Sequence, residues 1–316
     1  MSGAVTAFAP GSIGNVGPGL DILGLAVAGD GDAVRAEWLD RPGLRILDPG
    51  HPELPLEADR HAAGLAASAV LKRVGDAAAG GRGIGLTVRK GLPLSGGQGG
   101  SAASAVAGAV SVNALLGRPL DHVQLIEACL DAEEAVAGRH ADNIAPSLLG
   151  GLVLIRSMDP LDVVQLPVPA DLHVVLAKPE QRMRTAEARA VLPREVPRAV
   201  ALHQAAQVAA MVAAFALEDY ELLARSVDDR IAEPVRAGLL PGFAEAKAAA
   251  LAAGALGSSI SGSGPTAFAL ARGRESAERI ATAMAGAYRG RGTGCVVRVG
   301  PVDRSGATVT REGTAR

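Results

Sequence analysis

The chain has 316 residues, 48% hydrophobic and 20% charged, the balance of a globular protein of about two ordinary domains. A net charge of −2 provides no global basic field, which argues against nucleic acid as a partner. Cys129 and Cys295 lack C-x-x-C spacing, which argues against a disulfide framework or zinc site; no basic leader and no uninterrupted apolar stretch long enough for a bilayer is found, so no membrane partner and a cytoplasmic location are expected.

Aromatics make up only 2% of the chain, so the core is expected to be built from Ala, Val, Leu and Ile. Residues 3–9 read as a short strand. Ala9 to Asp21 carries Gly11, Gly14, Gly17, Gly19, Pro10 and Pro18, and so many breakers predict a loop. Asn15 and Asp21 are its main side chains able to bind a charged group, although both residue types also serve turns themselves. Strands are expected at 22–28 and 33–39, a loop over 40–56, a helix over 58–74 on its apolar spacing, and an alternating strand over 83–89.

Next comes the run from Pro93 to Ser104, P-L-S-G-G-Q-G-G-S-A-A-S, with Gly96, Gly97, Gly99 and Gly100 together. Alanines follow, and they predict a helix ending near Gly117. A glycine loop opening into a helix exposes unpaired N–H groups at the positive end of the helix dipole, a fit for phosphate. It is neither a P-loop nor a dinucleotide fingerprint. A helix is expected over 121–137, with Asp131, Glu133 and Glu134 near the end where acids oppose the dipole. That placement suggests a magnesium ligand. Gly138 to Pro146 puts His140, Asp142 and Asn143 in a turn ahead of a strand at 150–155.

Breakers after 157 and at Pro167 and Pro169 mark a domain boundary. The division expected is 1–168, 169–300 and a tail over 301–316, polar and frayed. The second half opens with a strand at 172–177. Thr185 is a candidate N-cap, with Glu187 and Arg189 following. Helices are expected at 198–217, 219–229, 242–253 and 274–288, with Arg236 at a break between helices. A second glycine-rich turn, from Gly254 to Leu270, and a strand at 294–299 complete the list.

Three glycine-rich loops, at 9–21, 93–104 and 257–266, occur in the order of the motifs of the galactokinase–homoserine kinase–mevalonate kinase–phosphomevalonate kinase (GHMP) superfamily, which the chain resembles almost end to end. Within it, the details look like homoserine kinase. A-P-G-S-I-G-N-V-G-P-G-L-D, H-A-D-N-I-A-P from His140, T-A-E-A-R from Thr185, E-P-V-R from Glu233 and I-S-G-S-G-P-T from Ile260 carry the resemblance.

The resemblance implies an α+β, two-domain GHMP kinase fold. Its N-terminal domain would be ribosomal-protein-like with a left-handed β-α-β crossover, and its C-terminal domain ferredoxin-like. It implies phosphorylation of the L-homoserine hydroxyl by ATP with Mg²⁺, in threonine biosynthesis, by a homodimer. Pro93, Leu94, Ser95, Gly96, Gly97, Gln98, Gly99, Gly100, Ser101, Ala102 and Ala103 would hold ATP, and Ser101 and Glu133 the metal. Asn15, Asp21, His140, Asp142, Asn143, Arg189 and Arg236 would hold substrate, with Thr185 and Gly262 beside it.

The residue chemistry agrees. A zwitterion needs an anion, from Asp21 or Asp142, and a cation, from Arg189 or Arg236. Asn143 stands nearest to where relatives place an Asp base and cannot accept a proton, so the hydroxyl is expected to lose its proton late. Ser95, Gly96, Gln98 and Gly100 replace the usual Gly, Ser, Leu and first Ser of the phosphate loop. Backbone N–H groups survive the change while two hydroxyls go. Another alcohol substrate, or a non-catalytic relative, stays open at this point.

Overall fold

The structure is a computed structural model that describes residues 3–134 and 138–311. The end of the helix expected over 121–137 and the last residues of the tail lie outside the described residues. Strand β1 (Val5–Gly14) runs further than expected, through Pro10 into the segment read as a loop. Its register against β2 (Leu23–Leu39) shifts between Pro10 and Gly11, the kind of irregularity where proline is tolerated. Gly14 must be glycine, because a Cβ there would collide with the side chains of Asp142 and Asn143. The two strands expected at 22–28 and 33–39 are one continuous β2.

Strand β3 (Gly43–Asp48) lies in the segment expected to be loop. It pairs in parallel with β4 (Gly83–Arg89), and helix α1 (Ala62–Val74) connects the two. Helix α2 (Gly100–Leu115) follows the glycine loop and is buried on almost every face. Its alanines let it lie against both α1 and the sheet; at Gly108 a Cβ would come 2.8 Å from the Ala63 Cα. Helix α3 (His122–Glu134) and a short α4 (Ile144–Leu149) complete this layer. Helix α4 stands where only a turn was expected. Strands β5 (Leu152–Met158) and β6 (Leu161–Leu166) form a hairpin at the edge.

The second half contains β7 (Leu172–Pro179), α5 (Thr185–Ala190), α6 (Arg198–Leu217), α7 (Tyr220–Ser226) and α8 (Glu233–Arg236). Then come α9 (Phe243–Ala252), β8 (Gly257–Ile260), β9 (Ala267–Arg272), α10 (Arg274–Gly290), β10 (Cys295–Pro301) and β11 (Thr308–Arg311). The second sheet, in order β10-β7-β9-β8, is antiparallel. Thr185 is not the cap expected: Arg184 holds that position without a side-chain bond, and Thr185 is the first helical residue.

The frayed tail also needs correcting. Strand β11 returns to the first sheet and pairs with β1, giving the order β11-β1-β2-β4-β3, with β5 on β2. Sheet pairing supplies the hydrogen bonds that a polar tail cannot supply alone. By length and mean hydropathy α6 is apolar enough to cross a bilayer, because its alanines count as apolar, although His203, Gln204 and Gln207 interrupt the run. In this fold it carries Met211 and Phe215 into a core, and its Gln204 donates to Pro18 O and Asp229.

That core joins the two halves. Ile13, Leu23 and Leu25 from the first sheet meet Val174, Phe268 and Leu270 from the second, with Phe215 between them. Each such large side chain, fully buried, contributes about 1.5–3 kcal/mol. The joint fixes the first motif opposite the third, and a cleft of about 540 Å³ opens beside it.

Candidate active site

The phosphate loop forms one wall of the cleft. Gly99 holds the N-cap of α2 at φ +68°, and no side chain caps the helix. The first-turn N–H groups of Gly100, Ser101 and Ala102 therefore face a cleft that these residues line. Ser101 Oγ donates to Glu133 Oε2 at 3.1 Å, joining the start of α2 to the end of α3. Burial pushes the Glu133 carboxyl up, against the opposing bond from Ser101. A hydroxyl and a carboxylate side by side at a phosphate-binding helix terminus are hard oxygen donors of the kind Mg²⁺ uses alongside waters and phosphates. Among the described residues, no group of three acidic, His or Cys side chains could hold a metal on its own.

The opposite wall carries charges of both signs. Arg189, on α5, forks onto Asp21, with Nη2 at 2.7 Å from Oδ1 and Nη1 at 3.3 Å from Oδ2. Burial pushes the Asp21 carboxyl up, but Arg189, His140 and Arg236 more than offset this and hold it below the usual carboxylate range. His140 Nδ1 lies 3.5 Å from Asp21 Oδ1, and burial pushes its pKa down. Asp142 is 3% exposed. Its Oδ2 accepts from the Asn15 N–H at 3.0 Å. Burial, with Asp21 nearby, pushes its pKa up to about 7. Arg236 is buried too, donating to Ala188 O and Gly262 O. Asn143 Oδ1 accepts from Ser12 Oγ at 3.0 Å, so its Nδ2 is the donor end.

Thus Asn15, Glu133, His140, Asp142, Asn143, Thr185, Arg189, Arg236 and Gly262 all line the one cleft with the phosphate loop. Asp21 reaches it through Arg189. Two loop residues do not line it: the Ala103 N–H is spent on Gly99 O, and Gln98 turns its side chain to Thr266. Asn15 also serves its own turn, at φ +70°, with Oδ1 accepting from the Asp21 N–H and Nδ2 donating to Gly262 O. Sequence reasoning missed Lys90, Asp32 and Ser104 beneath the loop, Ser12 behind Asn143, and Asp229, which orders the turn leading into α8 by accepting from the N–H groups of Ile231, Ala232 and Glu233. It also missed Glu53 and Arg182 at the mouth of the cleft. Lys90 alone left a signal, as one of four lysines in an Arg-rich chain.

Comparison with known proteins shows the family of the chain. The family model for the GHMP kinases N terminal domain matches residues 61–151, and that for the GHMP kinases C terminal matches residues 211–290. Homoserine kinase from Chlorobaculum tepidum is 39% identical over 297 residues, covering 90% of both chains. The chain belongs to the homoserine kinase family of the GHMP kinases. The homoserine kinase of Arabidopsis thaliana is 42% identical over 90% of this chain and 78% of that one. The crystal structure of homoserine kinase from Cytophaga hutchinsonii superimposes with a TM-score of 0.92, at 40% identity over 97% of each chain. The two-domain GHMP kinase fold therefore holds for this chain, and as a kinase it uses ATP and a small-molecule substrate.

Proposed function

We propose that this homoserine kinase-family member transfers the γ-phosphoryl group of ATP to the side-chain hydroxyl of L-homoserine, giving O-phospho-L-homoserine for threonine biosynthesis. The observation that carries the reading is one cleft lined by both a helix N-terminus free for phosphate and paired charges for a zwitterion. Phosphoryl transfer needs mainly positioning and charge neutralisation.

The N–H groups of the loop and of the first turn of α2 take the phosphates. Ser101 and Glu133 would hold Mg²⁺, which would neutralise phosphate charge when bound. Asp142 and Asp21 take the ammonium group, while Arg236 and Arg189 take the carboxylate, which Arg can bind bidentately. Thr185 and Gly262 stand beside them. Asn143 offers a donor and not a base, so it orients the hydroxyl, whose proton leaves late. Homodimer assembly and a cytoplasmic location extend the reading on family resemblance.

ADP release would be measured with Mg·ATP and L-homoserine, L-threonine or L-serine. Release strongly dependent on homoserine is the expected result. Nucleotide binding without release on any of the three overturns the assignment.

A further inference from the structure

Gln98 stands in the phosphate loop where the usual motif has leucine, and it is 3% exposed. Its backbone carbonyl accepts from the Ser12 N–H at 3.1 Å. Its Nε2 donates to Thr266 Oγ1 at 3.2 Å, and that hydroxyl donates its proton to Gly96 O at 2.5 Å. The single hydroxyl proton settles the amide's orientation: Oγ1 has no proton left for Gln98, so it must accept from Nε2. Oε1 is then the atom left over, and it is buried without a partner.

Neighbouring contacts point the same way. Ser261 Oγ donates to Gly97 O at 2.6 Å. A Cβ on Gly97 would lie only 2.6 Å from Gly264 O. Residues 96–98 are thus held, one after another, by the turn between β8 and β9. The same turn holds the substrate side of the cleft: Gly262 O accepts from Asn15 Nδ2 at 2.9 Å and Arg236 Nη1 at 3.0 Å, and the Gly262 N–H donates to Gly14 O.

We propose that Gln98 and Thr266 form a positioning pair that presets the phosphate loop against the second half of the molecule, in register with the substrate pocket. The proposal rests on the kinase reading above. A run of glycines has wide backbone freedom. Fixing it before nucleotide arrives removes an ordering cost from binding. Leucine in place of Gln98 would leave no orphaned oxygen and would also make no bridge. The pair therefore trades folding stability for a loop held ready.

The test measures ADP affinity by calorimetry and the thermal midpoint in wild type, Gln98→Leu, Thr266→Val and Thr266→Ser. One lost hydrogen bond corresponds to about a five-fold change in affinity. Gln98→Leu is expected to weaken ADP binding and raise the KM for ATP by about that factor, with the KM for homoserine unchanged and a midpoint at or above wild type. Thr266→Val is expected to weaken ADP at least as much, and Thr266→Ser to bind as wild type does. Unchanged ADP affinity in Gln98→Leu overturns the proposal. So does a fall in affinity accompanied by a matching fall in midpoint, which is the mark of lost packing alone. Wild-type protein that binds no ADP overturns the nucleotide reading itself and the pair's role with it.

Discussion

Asp142 is where burial and function pull against each other. Its carboxyl sits 3% exposed beside Asp21, with Arg189 only partly compensating, and its pKa is pushed up to about 7. An unfolded Asp titrates near 3.9. The native state therefore holds this proton more tightly than the unfolded chain does. Ionising Asp142 costs stability progressively as pH climbs from about 4 to about 7. The substrate's ammonium group wants the ionised form. The KM for homoserine should therefore rise as pH falls through neutrality, and initial rates over pH 6 to 8.5 would show it. Burial pushes the His140 pKa down from its ordinary value, away from the raised Asp142. Asp142→Asn is expected to flatten the profile, raise KM at high pH about ten-fold or more, in line with the loss of a charge-assisted bond, and raise the thermal midpoint at pH 8. A pH profile unchanged in Asp142→Asn would remove Asp142 from ammonium recognition.

At the scale of elements, the phosphate loop is clamped at both ends by a buried network. Lys90 Nζ bonds Asp32, Gly100 O at 3.0 Å and Ser104 Oγ at 3.0 Å, which uses all three of its protons. Asp32 is fully buried and also accepts from the N–H groups of Gly91 and Leu92. The lysine thus anchors β2, the start of the loop and the first turn of α2, with no donor free for a phosphate. Removing one partner strands a buried charge, so Lys90→Met should cost about 3–5 kcal/mol in denaturant melts, while a paired apolar replacement of Asp32 and Lys90 should recover much of it. Equal losses in the single and paired variants would mean that packing, not charge, holds the clamp.

The sequence could announce the loop and α2, because glycines before alanines are a local signal. It could not announce Asp32, whose partners Lys90 and Ser104 lie 58 and 72 positions away. Strand β11 escaped for a similar reason: its four residues, Thr-Val-Thr-Arg, are too short a run to stand out, and its order comes from β1, far off in the chain. Of the candidate site, His140, Asp142 and Arg236 were legible through short motifs. The turning of Gln98 away from the cleft was not, because only the fold brings Thr266 within reach.

Taken whole, the molecule is two sheets that share a core on one side of the cleft, and the exposed rim of the cleft carries a forked ion pair between the halves. Arg182 Nη1 and Nη2 reach Glu53 Oε2 and Oε1 at 2.7 and 2.9 Å, joining the segment before α1 to the one before α5. Both side chains line the cleft and both are largely exposed. Exposed pairs add little to stability and are screened by salt, so the joint core and not this latch holds the halves together. The pair lines the same cleft as the phosphate loop, and release steps often limit turnover in enzymes with closing parts. Glu53→Ala or Arg182→Ala should leave the thermal midpoint in place and speed ADP dissociation several-fold, as stopped flow with a fluorescent ADP analogue would report. Raising ionic strength should speed release from wild type but not from either variant. The reversed pair, Glu53→Arg with Arg182→Glu, restores the fork in the opposite sense and should slow release again. If the reversed pair releases ADP as fast as the single variants, charge pairing at the mouth does not gate the cleft, and the joint core alone sets how the halves move.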